Sequence, residues 1–270
     1  MRALEPSTLT RLSVSELKGV PLAGSPSSAA AVSARTGARE ELSGLDGSFD
    51  LPAKAAVDLL TVSWELSGVA VSCQVQVVPS RYCSLDDVRT HRADELQNEG
   101  RSDDDVFDAR ARAEDVIERE CGRALQPVME ECFIDRPGCT ARTQPIGAAG
   151  RVIHDISEVI RATAQDGSEV EVRPVRRGGS FVDVGELGRG CAATACIVHG
   201  MERTPPEVRH AVAALAARFL TARAEPDNAI SMTGDGATIS YVVEGASGIT
   251  ALPEVNALIK RHRVTDYFVG

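Results

Sequence analysis

Few side chains in this chain could do chemistry, and their spacing narrows what that chemistry could be. Cys191, Cys196 and His199 come nearest to a metal-ligand set. The CxxxxC gap suits zinc poorly, and along a strand the two cysteines fall on opposite faces. They read as small buried core residues, and no metal is expected. Cys132 and Cys139 flank Pro137-Gly138 and could pair across a turn in an oxidising setting. Seven cysteines are an odd number, and MRALEPSTLTRLS has no apolar signal core, so reduced thiols are expected. His154, Asp155 and Glu158 suggest acid–base work. In a strand, however, His154, Ile156 and Glu158 share one face and Asp155 the other, with no nucleophile beside them. GDGAT (234–238) and RRGGS (176–180) are glycine-containing loops. Neither has the strand–loop–helix setting with GK[ST] that a phosphate cradle needs. No enzyme signature and no cofactor follow from these residues.

The clearest element available to position any side chain is a helix from Thr204 to Arg223, TPPEVRHAVAALAARFLTAR. Thr204 suits the N-cap, Pro205 the first helical position and Glu207 the capping box. Val208, Ala211, Val212, Leu215, Ala216, Phe219 and Leu220 form one broad apolar face. A second helix runs from Ser102 to Cys121. Ser102 caps it, three acids in its first turn oppose the helix dipole, and Gly122 reads as a left-handed C-cap. Its stripe includes Val116 and Ile117, so Val116, Ile117, Val212, Leu215 and Phe219 are the expected helix–helix contact. Ser84 caps a shorter helix upstream, with Asp87 at its third position. Leu252-Pro253 opens a last helix, PEVNALIKRHR, ahead of the apolar segment VTDYFVG.

Strand signals lie around and between these helices. AVDLLTVSWEL and VAVSCQVQVV flank Ser67-Gly68 and alternate in the manner of a β-hairpin. Residues 126–200 read as about five short strands with glycine-rich turns. GSPSSAAAVSARTGARE (24–40) has no sustained period and reads as a flexible arm. The expected fold class is α+β, with a helical core of about four helices from 84–125 and 201–263. A β-rich insert (126–200) separates the second and third helices. An N-terminal β-hairpin extension (49–82), a flexible arm (1–48) and a C-terminal docking tail (264–270) complete it.

Net charge is −10 and aromatics are only 4%. The first disfavours a general DNA-binding face and the second a base-stacking sheet. Residues 84–121 alone hold thirteen acids and six arginines, a net of −7. This is either a solvated helical face or a surface turned toward something anionic that must not stick. No run of eighteen apolar residues is present, so no membrane partner is expected.

The order of these pieces resembles a known family. ARAEDVIERECGRALQPVMEE, a strand-rich stretch, IVHGMERTPPEVRHAVAALAARFLTAR and then LPEVNALIKRHR are similar to the head-to-tail adaptor (connector) proteins of long-tailed bacteriophages. The similarity covers about Ser84 to Gly270 and leaves residues 1–82 without a counterpart. It implies a virion protein, assembled in the host cytoplasm as a homo-oligomeric ring of twelve subunits. The ring would sit beneath the portal protein and join it to a downstream connector, stopper or tail protein, with DNA passing non-specifically through its centre. On this reading Asp86, Asp87, Asp94, Glu95, Asp103, Asp104, Asp105 and Asp108 are the acids expected to line the channel, where like charge repels phosphate. Arg263, Val264, Tyr267, Phe268 and Val269 are the expected portal-docking residues, by strand addition to an exposed edge. The competing readings are a small soluble enzyme with an unrecognised site in the β-rich insert, and a DNA-binding regulator with a helical core.

Overall fold

The computed structural model describes residues 2–52, 57–91, 100–135, 142–184, 192–221, 231–234, 237–240, 250 and 252–264. Two compact units divide the chain, which passes between them alternately. Residues 1–81 and 123–204 form a β unit; residues 82–122 and 205–270 form a helical unit. The expected helical core with a β insert is therefore incorrect. The protein is β-rich, with only four α-helices among the described residues, and the β unit is the larger of the two.

The main reason lies in the first fifty residues. In place of a free arm they supply β1 (Leu9–Ser13), β2 (Val20–Pro21), β3 (Ala29–Ser33), β4 (Arg39–Glu41), β5 (Gly44–Leu45) and β6 (Ser48–Phe49). Leu4, Leu12, Leu17, Val20, Leu22 and Phe49 are all buried. β3 is the Ala-rich stretch that lacks a period. It pairs on one side with β4 and on the other with β7 (Asp58–Leu66), and four of its five residues are buried. A strand covered on both faces has no apolar–polar alternation to display. Small side chains are what fit there: Ala29 stands opposite Trp64, whose indole N–H donates to the Ala23 carbonyl at 3.1 Å. The buried Asp58 carboxylate accepts from the Ser33 hydroxyl at 2.6 Å and the Arg35 N–H at 3.1 Å.

β7 and β8 (Val69–Val78) pair antiparallel through Ser67-Gly68, in the register expected of the hairpin. With β1 added in parallel to β8, the sheet order is β1-β8-β7-β3-β4. A second sheet has the order β11-β9-β15-β12, from β9 (Val128–Asp135), β11 (Ile146–Gly147), β12 (Glu158–Ala164) and β15 (Ala192–His199). Its core includes Ile134, Ile156, Val182, Ala195 and Ile197. The two sheets meet through Leu59, Met129 and Val198, and the Gln76 side chain donates to the Met129 carbonyl at 3.0 Å. A small third sheet, β10 (Arg142–Thr143), β14 (Val182–Asp183) and β13 (Arg173–Pro174), lies in that order with β14 central.

The helical unit contains α1 (Leu85–His91), α2 (Asp103–Cys121), α3 (Pro206–Leu220) and α4 (Pro253–His262), which pack on one another. Ile117, Val212 and Leu215 are buried at this contact; Val116 and Phe219 are half-buried. The Arg112 guanidinium lies over the Phe219 ring, 4.2 Å from its centroid. Ser102 and Asp105 form the capping box of α2, and Gly122 closes it at φ 69°, its N–H donating to the Arg119 carbonyl at 3.3 Å.

The start of α3 differs from expectation. Pro205, at φ −60° and ψ 136°, is the N-cap and the helix begins at Pro206. A proline pushes the residue before it out of helical geometry, so the boundary moves past Thr204. Glu207, freed from a capping box, turns toward the end of α4.

Candidate functional site

The helical unit gathers most of the residues expected to act. Asp87 does two jobs. It completes the cap of α1, accepting from the Ser84 N–H at 2.8 Å, and it takes a bidentate pair from Arg209 of α3 at 2.6 and 3.0 Å. The Arg209 hydrogen bonds hold its carboxyl down at about 2. Asp103 is ion-paired with Arg89, and Asp105 is engaged by the Ser102 cap; each partner lowers the corresponding pKa. Asp86, Asp103, Asp104, Asp105 and Asp108 are exposed. Asp94 and Glu95 lie outside the described residues. The acidic set is thus partly a set of caps and inter-helix ties, and the tie is invisible until Arg209, far along the chain, is placed beside Asp87.

α4 is fixed to α3 at Glu207, whose Oε1 accepts from Arg261 at 3.0 Å and contacts His262 Nε2 at 3.1 Å. A hydrogen bond from its own backbone, then those of His262 and Arg261, hold the Glu207 carboxyl at about 2. At the other end of α4, the Asn256 amide exchanges hydrogen bonds with the Thr250 N–H and carbonyl at 2.8 and 2.7 Å. Beyond the helix, the Val264 N–H donates to the Cys121 carbonyl at 2.8 Å, which ties the residues just after α4 to the end of α2. Arg263 is exposed and Val264 half-buried; Tyr267, Phe268 and Val269 lie outside the described residues.

The β unit contains a cleft of about 360 Å³ lined by Leu9, Leu59, Gln76, Glu130, Phe133 and Ile146, among others. Glu130 is its central ionisable group. One carboxylate oxygen contacts His199 Nε2 at 3.2 Å and the other accepts the Ala148 N–H at 2.8 Å. A Cβ at position 147 would come within 2.3 Å of that second oxygen, so a side chain there would displace the carboxylate from its present place. Burial works to raise the Glu130 pKa, but the bonds from His199 and Ala148 outweigh it and keep the carboxyl below its usual range. Cys132, on the same strand face, is pushed up to about 12, chiefly by burial. It is a neutral thiol at physiological pH, and the thiolate is the nucleophilic form. The cleft therefore holds an engaged carboxylate and an inert sulfur.

The remaining residues singled out by spacing are separated by the fold. His154 Nδ1 is 2.7 Å from the Ser180 hydroxyl, Asp155 pairs with Arg123 at 2.5 Å, and Glu158 pairs with Arg35 at 3.2 Å. Asp155 has φ 58°, so the chain turns there, and the expected strand face of His154, Ile156 and Glu158 does not form. Cys196 is buried, while Cys139 and Cys191 lie outside the described residues. Among the described residues no group of three His, Cys, Asp or Glu is placed to hold a metal ion, and no helix is long and apolar enough to cross a membrane. The Glu130–His199 pair escaped the sequence reading. The two residues are 69 positions apart, and only the β9–β15 pairing brings them together.

No protein-family model matches the chain, and no curated protein matches it.

Proposed function

We propose that the chain is a structural virion protein, a head-to-tail adaptor that forms a homo-oligomeric ring beneath a portal protein. It would join that portal to a downstream connector, stopper or tail protein and leave a channel for DNA. The reading rests on the resemblance of residues 84–270, and one structural observation supports it most. Two stretches far apart in sequence build one helical unit, and Val264, the residue ahead of the apolar C-terminal sequence, is held by a hydrogen bond to Cys121. A short apolar segment anchored at its root is suited to adding a strand to a partner's exposed edge. Exposed Asp86, Asp104 and Asp108 would face the channel, where acidic walls discourage phosphate from adhering. The β unit, including the residues without a counterpart in the family, would project from the ring.

Electron microscopy of the purified chain, alone and mixed with portal rings, tests this. Rings with a central hole, or chain density beneath the portal, are expected. A particle that stays monomeric or dimeric and ignores the portal overturns the proposal. Truncation after Val264 tests the docking element: rings should form and melt normally yet fail to bind portal. If truncation instead unfolds the helical unit, the segment belongs to the core and the docking role is wrong.

A further inference from the structure

The RRGGS loop finds no use in phosphate cradling of the P-loop kind, yet the fold displays it prominently. Residues 175–181 join β13 to β14, and this tip is rigidly held. Gly178 N–H donates to the Ile156 carbonyl at 2.7 Å, Ile156 N–H to Gly179 at 2.8 Å, and Gly179 N–H to Arg176 at 2.9 Å. The His154–Ser180 contact braces it from the side.

Register defines what this small sheet shows to solvent. Arg142 and Arg173 both stand opposite Asp183, so the three share one face, and all are exposed. Two residues further along the same face, Val175 N–H donates to the Phe181 carbonyl at 3.0 Å. Val175 is 40% and Phe181 47% exposed. Arg176 and Arg177 extend the face at the tip. Arg142 and Arg173 thus flank Asp183, and Arg176 and Arg177 lie beyond it at the turn, on a chain whose net charge is −10. Their nearby acids are weak competitors. Arg177 reaches Glu202 at 3.6 Å with both side chains largely in water, and such pairs contribute little. Arg173 is likewise paired with Glu171 at the surface.

We propose that this arginine-tipped hairpin is a contact site for the phosphate backbone of double-stranded DNA. Guanidinium groups at the turn of this small three-stranded sheet are placed to reach phosphate oxygens of the duplex backbone. Phe181 and Val175 would lie against the sugar edge. Single strands fit less well, because they need successive aromatic platforms and this face offers one ring. The contact carries no sequence code, so binding is non-specific and steeply salt-dependent. The site does not depend on the adaptor reading, since it is tested on the purified chain without portal.

The experiment is fluorescence anisotropy of the full chain against a labelled random-sequence duplex and a single strand of equal length, over a salt series. The wild-type chain should bind the duplex more tightly than the single strand at low salt. R176A/R177A should lose about tenfold in affinity, and its salt slope should fall by about two, one per phosphate contact removed. R176K/R177K should keep the slope, because charge is retained, and R39A in the other sheet should change nothing. Thermal melts of all variants should coincide. No duplex binding at low salt, an unchanged R176A/R177A slope, a slope lost in R176K/R177K, or preference for the single strand would each overturn the assignment.

Discussion

The helical unit and the β unit are built from the same kinds of residues but hold themselves together over different distances. α2 spans 19 residues with its cap, its stripe and its terminating glycine all inside its own segment. β3 acquires its environment from β4 and β7, and β1 from β8, more than sixty residues away. Local contacts carry a helix most of the way to its native form; a strand means little until its partner arrives. A segment without a pattern can therefore still be core.

The strongest way to break this comparison is to delete residues 1–48. If they are integral to the β unit, the truncated chain should lose that unit's cooperative melt altogether, while helical circular dichroism persists. A truncation that melts like the full chain would return the segment to the status of an arm. Single core substitutions come next. Trp64→Ala should cost about 3–5 kcal/mol and Leu215→Ala about 2–5 kcal/mol by denaturant unfolding, since both sites are buried and leave cavities. If the units melt separately, each substitution should shift only its own transition.

Gly122→Ala is a smaller perturbation, about 1–2 kcal/mol from the left-handed conformation alone, because the added methyl group meets no close neighbour. The smallest effect concerns Asp87. Asp87→Asn should cost at most about 1 kcal/mol, as Arg209 is largely exposed. Its pH dependence sharpens the test. The Asp87 carboxyl falls from an ordinary 3.8 to about 2 in the folded chain. A depressed carboxylate stabilises the fold above its ordinary value and loses that contribution as pH falls toward 2. The ion-pair part of the difference between wild type and Asp87→Asn should therefore be constant above about pH 5 and be lost as pH falls through about 2. A difference independent of pH would mean that the Arg209 pair is not what Asp87 contributes.

The four helices, the caps at Ser84, Ser102 and Gly122, and the Ser67-Gly68 hairpin are legible in the amino-acid sequence. Each depends on side chains within a few residues of one another, where spacing translates directly into geometry. The rest came with the fold. It placed Ala29–Ser33 inside a sheet, set Glu130 against His199, turned Asp87 toward Arg209, and brought Arg142 and Arg173 to the same face on either side of Asp183. These are pairings between distant segments. Their partners are chosen by sheet register and by burial on both faces, and neither leaves a period in the chain for a reader of one strand to find.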